Sequence, residues 1–265
     1  MKNFSHTFVV CAYKDSPYLE KCIRSVLGQK LHSDAILCTS TPSDYISSIA
    51  DKYNIPVYVR DGKSDIRDDW NYAYNKAVTK WVTVAHQDDI YANTYTSYLW
   101  KKINSSDGKG IIFFTDYYPL KNNGEKGIRR DVNSTIRRLL RTPMKISYLS
   151  SSVFFKKAIL ALGNTICCPT VTYNKEMLGD NIFSSNLKFD IDWDTFLKLA
   201  VKDGRFLYID RPLVLYRIHD GATSKEFIDN NNRIIEDREM FGKFYPPFVV
   251  DGLMHLYKLA YKTYG

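Results

Sequence analysis

The sequence predicts an α/β fold with a mostly parallel central sheet flanked by helices, on three observations. Short apolar runs alternate with stretches of helical periodicity through the first half of the chain. Polar clusters follow the ends of two of those runs, where a parallel sheet forms its ligand crevice. The 265 residues are 45% hydrophobic and 25% charged, a globular balance with room for a sizeable core.

Residues 7–12 (TFVVCA) form an apolar run that stops at Tyr13-Lys14-Asp15-Ser16-Pro17. Ser16 reads as a helix N-cap and Pro17 as the first helical position, before Leu19, Cys22, Ile23, Val26 and Leu27 recur at helical spacing. Gly28 marks the exit. Residues 35–39 are a second strand, 43–53 a second helix and 56–59 a third strand. Residues 68–78 read as a third helix and 81–85 (WVTVA) as a fourth strand, ending at His86-Gln87-Asp88-Asp89 and the loop 90–93. A helix over 95–103 and a turn over 105–110 lead to a strand over 111–115, and 119–127 is a polar loop.

Residues 132–141 can form a helix with Val132, Ile136, Leu139 and Leu140 on one side and Arg137, Arg138 and Arg141 towards the other. Residues 150–162 start extended and turn helical, and 192–201 is a helix. Late strands over 205–209 and 213–218 flank Pro212, and helices over 225–241 and 248–261 close the chain. The organisation expected is a main domain over 1–224, in two halves, to about 118 and over 119–224. A helical extension over 225–265 packs on it.

Five cysteines, an odd number without a C-x-x-C pair, fit neither a disulfide framework nor a zinc site. No apolar stretch approaches the roughly 18 residues of a membrane span. A cytoplasmic location is therefore expected, with peripheral contact at the inner face of a membrane and oligomer formation both left open. The formal net charge is +8. Lys126, Arg129, Arg130, Arg137, Arg138, Arg141 and Lys145 stand against Asp131 alone between positions 126 and 145, so this segment carries +6 of it. Such a cluster suits a phosphate-bearing acceptor, a lipid surface or a solvated helix face. No nucleic-acid motif accompanies it, so no nucleic-acid partner is expected.

Three motifs carry chemistry. Asp88 and Asp89 at a strand end offer hard oxygen ligands for a divalent cation that binds phosphate, or a plain helix-capping turn. Asp190-Ile191-Asp192-Trp193-Asp194 opens a helix, whose N-terminus would stabilise the acids, and one of them could serve as a general base. Tyr216-Arg217-Ile218-His219-Asp220-Gly221-Ala222-Thr223-Ser224 follows the last strand; there His219 could ligate a metal and Arg217 hold a phosphate.

The order of these motifs, over about residues 8–224, resembles the family 2 glycosyltransferases, which have the Rossmann-like GT-A nucleotide-diphospho-sugar transferase fold. VVCAYKDSPYLEKCIRSVLGQ is similar to that family's opening strand, donor-base loop and first helix. Asp68-Asp69-Trp70-Asn71-Tyr72-Ala73 is similar to the helix whose Asn faces the donor. His86-Gln87-Asp88 occupies the D-x-D metal motif with His in the first place, and Asp192-Trp193 matches the base motif. The loop after the second strand, Thr39-Ser40-Thr41-Pro42-Ser43-Asp44, has no acid before Asp44, where the family carries an acid-rich loop.

The resemblance implies inverting transfer of a sugar from a nucleotide-sugar donor, UDP-sugar favoured, to a carbohydrate or lipid-linked carbohydrate, in bacterial surface-polysaccharide synthesis. It implies Asp192 as the base and Mn²⁺ or Mg²⁺ as cofactor, held by Asp88, Asp89 and His219. Donor contacts are expected at Ala12, Tyr13, Asp15, Asp44, Trp70, Asn71, His86, Gln87, Asp88 and Arg217. Acceptor contacts are expected at Trp193, Arg137, Arg138, Arg141 and Ser151. A nucleotidyltransferase and a sugar-nucleotide-binding relative without transfer activity are the alternatives. Against the first, no Gly-rich phosphate loop with a Lys lies near the first strand.

Overall fold

The computed structural model describes residues 4–121, 132–219 and 232–261. An eight-stranded sheet of order β3-β2-β1-β4-β7-β6-β8-β5 runs through it. Its strands are β1 (His6–Ala12), β2 (Asp34–Thr39), β3 (Val57–Val59), β4 (Trp81–His86), β5 (Ile90–Tyr91), β6 (Gly110–Lys121), β7 (Thr172–Asn174) and β8 (Arg205–Ile218). The helices are α1 (Leu19–Leu27), α2 (Asp44–Tyr53), α3 (Ile66–Lys76), α4 (Tyr95–Asn104), α5 (Val132–Leu140), α6 (Ser147–Ser151), α7 (Val153–Ala161), α8 (Lys175–Leu178), α9 (Ile191–Ala200), α10 (Asn232–Gly242) and α11 (Pro247–Tyr261).

The first half follows the predicted alternation. β1 is buried except at half-buried Cys11 and pairs parallel with β2 and β4, and β2 with β3. Helical α1 lays Leu19, Cys22, Ile23 and Val26 against the sheet, as its period predicts. One hydrophobic core gathers Phe8, Val10, Leu37, Tyr95 and Phe113; the other gathers Val9, Val84, Phe114, Trp193 and Phe206. Neighbouring residues of β1 thus enter different cores, as strand pleating requires.

Beyond that alternation the structure differs from the sequence reading at several points. Short β7 inserts antiparallel between β4 and β6. The expected loop after Asp89 contains β5, antiparallel to β8. The two strands expected around Pro212 are one strand, β8, which runs parallel to β6 through register shifts near Thr115 and Asp116. A bulge there lets the ladder pass the missing N–H of Pro212. The segment over 150–162, expected to start extended and turn helical, instead holds the end of α6 and all of α7, broken at extended Ser152. Of the helix expected over 225–241, only the part from Asn232 lies within the described residues.

A buried polar chain crosses the sheet. His6 Nδ1 meets Ser33 Oγ at 2.6 Å and His6 Nε2 meets Thr83 Oγ1 at 2.8 Å. Thr83 continues to Thr172 Oγ1 at 2.5 Å, which Tyr95 OH approaches at 2.8 Å. Burial lowers the His6 pKa from 6.5 to about 3, so the ring is neutral in the folded chain. The unfolded chain takes up this proton below pH 6.5 and the folded chain only near pH 3. His6 therefore contributes stability that is complete above pH 6.5 and is lost as pH falls towards 3, by about 1.4 kcal/mol per unit. Urea midpoints across this window should fall less steeply for His6→Gln than for the parent chain; parallel curves would contradict the buried neutral imidazole.

Candidate active site

Strand register assembles the site. Ala12 pairs with Thr39 and Cys11 with His86, so the turns after β1, β2 and β4 leave the sheet side by side. Gln87 joins two of these turns: Tyr13 N–H donates to its Oε1 and its Nε2 donates to the Tyr13 carbonyl, both at 2.9 Å. Lys14 adopts a left-handed φ of 53°, a conformation costing on the order of 1 kcal/mol. Its N–H donates to Thr41 Oγ1 at 2.7 Å, and Ser43 Oγ donates to Asp15 Oδ1 at 2.6 Å. The loop after β2 is thus held to the loop after β1 by hydroxyl groups. Tyr13, Asp15 and Asp44 are exposed on this rim, while Ala12 is buried beneath it.

Asp88 stands at the centre of the edge. Ser16 Oγ donates to its Oδ1 at 3.0 Å, and His219 Nε2 lies 3.2 Å from its Oδ2. That ring nitrogen is buried and makes no aligned hydrogen bond. Ser16, expected to cap α1, thus points to Asp88; the residue before α1 is Tyr18, and no side chain caps that helix. Asp89 turns the other way. It is buried, its Oδ1 accepts the Arg217 N–H at 2.9 Å, and burial pushes its carboxyl well up. Arg217 is itself buried: its Nε donates to the Asp88 carbonyl at 2.9 Å and its guanidinium lies 4.1 Å from the Tyr18 ring centre. Both residues brace the acidic turn.

On the α3 side, Asn71 is engaged by the chain around Phe183. Asn71 donates to the Phe183 carbonyl at 2.7 Å and accepts the Phe183 N–H at 3.0 Å, so it fastens α3 to the chain around Phe183. Asn75 makes the same kind of clasp with Asn181. Trp70 stacks on His86, centroids 5.0 Å apart, and burial lowers the His86 pKa to about 4. Asp69, not singled out in the sequence, accepts from Ser40 Oγ at 2.9 Å, Ser64 Oγ at 2.7 Å and Arg60 Nε at 2.6 Å.

The three acids around α9 occupy three environments. Asp194 is buried and paired with Lys198 and Lys243, each at 2.7 Å. Asp190 is buried, and desolvation with Asp237 and Asp192 nearby raises its pKa well above the ordinary value. Asp192 alone of the three is partly exposed. Burial raises its pKa to about 6, against hydrogen bonds from Trp193 N–H and Asn164 Nδ2, both at 2.8 Å, and the charge of Arg137. Burial raises the Cys167 thiol pKa well above its ordinary value, and the charges of Asp89 and Asp192 add to that.

The acceptor set divides. Trp193 is 1% exposed, donates Nε1–H to the Leu160 carbonyl at 3.0 Å and packs on Phe241, so it is a core residue. Arg141, also 1% exposed, is held by Asp116 at 2.8 Å and the Thr165 carbonyl at 2.6 Å. Their burial removes both from direct acceptor contact. Arg138 forms a two-pronged pair with Asp210, which also accepts from Lys145 at 2.6 Å. Ser151 is exposed and donates to the Tyr148 carbonyl at 2.8 Å. Lys126, Arg129, Arg130 and residues 220–224 lie outside the described residues.

A divalent cation fits part of the expected set. Asp88 supplies a hard carboxylate oxygen beside the borderline His219 nitrogen, a pair that fits Mn²⁺ better than Mg²⁺, completed by water and phosphate oxygen. Asp89 does not fit, because its carboxylate is enclosed against Arg217. Among the described residues, no group of three His, Cys, Asp or Glu side chains forms a metal site.

The fold and this edge define the GT-A class of nucleotide-diphospho-sugar transferases. Glycosyl transferase family 2 matches residues 7–163, and the chain belongs to that family. Among solved structures it is similar to Staphylococcus aureus TarS 1–349 (14% identity, TM-score 0.60), covering 95% of this chain and 69% of that one. The same TarS fragment is known with UDP-GlcNAc. A Pyrobaculum calidifontis mannosyltransferase with GDP-Man and Mn²⁺ is similar at 14% identity and TM-score 0.58, covering 96% and 71%. Glucosyl-3-phosphoglycerate synthase of Mycobacterium tuberculosis, with Mn²⁺ and UDP-glucose, follows at 12% identity and TM-score 0.53, covering 90% and 79%. No curated protein matches the sequence.

Glu236 of α10, unmarked by any sequence motif, accepts the N–H groups of Lys188, Phe189 and Asp190 at 2.9, 2.7 and 2.9 Å. Glu236→Ala leaves these three donors without their carboxylate, and the unfolding free energy should fall by about 2 kcal/mol. The urea midpoint should drop at unchanged slope, with Glu236→Gln intermediate. An unaltered midpoint for Glu236→Ala would contradict this role.

Proposed function

We propose that this chain moves a sugar from a nucleoside-diphosphate sugar, UDP-sugar favoured, onto an acceptor hydroxyl with inversion at the anomeric carbon. The observation that carries the reading is Asp88, at the carboxyl end of β4, between the Ser16 hydroxyl and the unsatisfied His219 nitrogen. Family membership and neighbours known with UDP- and GDP-sugars support it. Residues 1–118 make the donor half and 119–224 the acceptor half, with 225–265 as the helical extension.

Tyr13, Asp15 and Asp44 border the donor's base and ribose, with Trp70 and His86 as an aromatic wall. Hydroxyl groups and Arg60, gathered on Asp69, stand near the end of β2 in place of an acid-rich loop. Asp88 and His219 would hold a Mn²⁺ or Mg²⁺, which would supply charge neutralisation for the departing diphosphate. Asp192 takes the proton of the acceptor hydroxyl. The acceptor oxygen bonds to the anomeric carbon from the face opposite the leaving group. The bond from that carbon to the nucleoside diphosphate breaks, and its electron pair leaves with the phosphate oxygen. The acceptor is a carbohydrate or lipid-linked carbohydrate, in the setting of bacterial surface-polysaccharide synthesis.

Asp192→Asn should retain donor binding and lose transfer by about 10²–10⁴-fold. With the Asp192 pKa at about 6, the rate in the parent chain should rise with pH through that value and level off above it. Normal turnover by the variant would remove Asp192 as the base. The first measurement is the thermal midpoint against UDP-, GDP-, dTDP- and CMP-sugars, with and without Mn²⁺. A ligand at about 100 times its Kd adds roughly 2.7 kcal/mol, which reads as a clear upward shift. Asp88→Ala should abolish the metal-dependent part of that shift. No shift with any nucleotide sugar would reject donor binding, and binding without release of nucleoside diphosphate in acceptor assays would favour a non-transferring relative.

A further inference from the structure

Beyond the catalytic edge lies a surface for which the transfer chemistry gives no role. No carboxylate side chain occurs between Asp131 and Glu176. Within that stretch α5 exposes Ile136 and Leu139 one turn apart, the latter at 72%. Ile146 is exposed before α6, Tyr148 within it is 81% exposed, and α7 opens with exposed Val153 and Phe154, the latter at 72%. These elements pack on one another through the 3-10 turn Thr142–Lys145. Arg138 of α5 and Lys145 of the turn meet on the same carboxylate, Asp210.

Large apolar side chains scattered singly over a surface are ordinary, whereas a cluster marks a place of contact. Arg138 and Lys145 border this cluster and share Asp210, and Arg137 and Lys157 belong to the same two helices, α5 and α7. Aromatic and aliphatic side chains mixed with cations match the boundary of an anionic bilayer, where rings enter the headgroup layer and cations meet lipid phosphate. A soluble polyanion would use the cations and leave the apolar side chains in water. No described helix is long and apolar enough to cross a membrane, so the contact is interfacial.

We infer that the face made by α5, α6 and the start of α7 docks on an anionic lipid surface. A docked membrane would bring a lipid-linked acceptor to the protein that transfers onto it. That last link rests on the transfer reading; the docking itself does not.

The test is flotation of the full chain with vesicles of phosphatidylcholine alone and of an equimolar mixture with phosphatidylglycerol. Recovery with the anionic vesicles only, weakened by salt, is expected. Tyr148→Ser combined with Phe154→Ser should reduce that recovery at least about tenfold while thermal midpoint and donor-induced shift stay unchanged. Leu139→Ser with Ile146→Ser repeats the test should the first pair impair folding. Absence from the anionic vesicles overturns the proposal, including the case in which the chain binds soluble polyphosphate instead. Undiminished recovery of a folded double variant overturns it equally. Flotation requires no turnover, so failure of docking and failure of the transfer reading are separate results.

Discussion

The site depends on the parallel register of β1 against its two neighbours. With Ala12 beside Thr39 and Cys11 beside His86, three loops distant in sequence emerge together, and Tyr13 can exchange two hydrogen bonds with Gln87. A slip of one residue would turn every β1 side chain to the opposite face and exchange the contents of the two cores. His6 of the buried chain opposes such a slip, because its ring nitrogens meet Ser33 Oγ and Thr83 Oγ1 only in this alignment. Each one left unpaired costs about 1–3 kcal/mol. Apolar packing favours forming the sheet, and the polar chain adds discrimination between registers.

Environment gives similar residues different chemistry. Asp88 and Asp89 are adjacent, yet one carboxylate meets a serine hydroxyl and an imidazole while the other is enclosed against a backbone N–H. Asp190, Asp192 and Asp194 divide in the same way: two are buried, and Asp192 retains an opening and a pKa near 6. A group that titrates there is ionised near neutrality and still basic enough to accept a proton, the combination a general base requires. Salt bridges hold Asp194 and remove it from competition for that role.

The alternation of strands and helices in the first half was legible because its signal is local: period 3.6 in α1 and short buried runs in β1, β2 and β4. The candidate site was legible in outline, since acids at a strand end and a helix start mark positions where ligands collect. What the sequence did not disclose was which partner each side chain meets. Asn71 looked like a donor contact and is a clasp on Phe183; Ser16 looked like a cap and points to Asp88. Trp193 reads equally well as a sugar platform or a core residue until α10 supplies Phe241 against it. Strands β5 and β7, of two and three residues, are too short for any period to show. Continuity of β8 across Pro212 depends on a bulge relative to β6, a relation between strands that neither segment encodes alone.

The C-terminal helices belong to this logic as much as the strands do. The turn before α9 has three N–H groups that need an acceptor, and Glu236 of α10 meets all three. Lys243 then secures Asp194, and Phe241 and Phe244 close over the Trp193 indole. Asp192 sits between these fixed points, two residues after the clasped amides and next to the buried indole. Its burial, the largest cause of its raised pKa, is set inside a segment whose packing α10 completes. Side chains forty to fifty residues downstream in sequence thereby help hold the candidate base in place, with no chemical motif of their own to announce it.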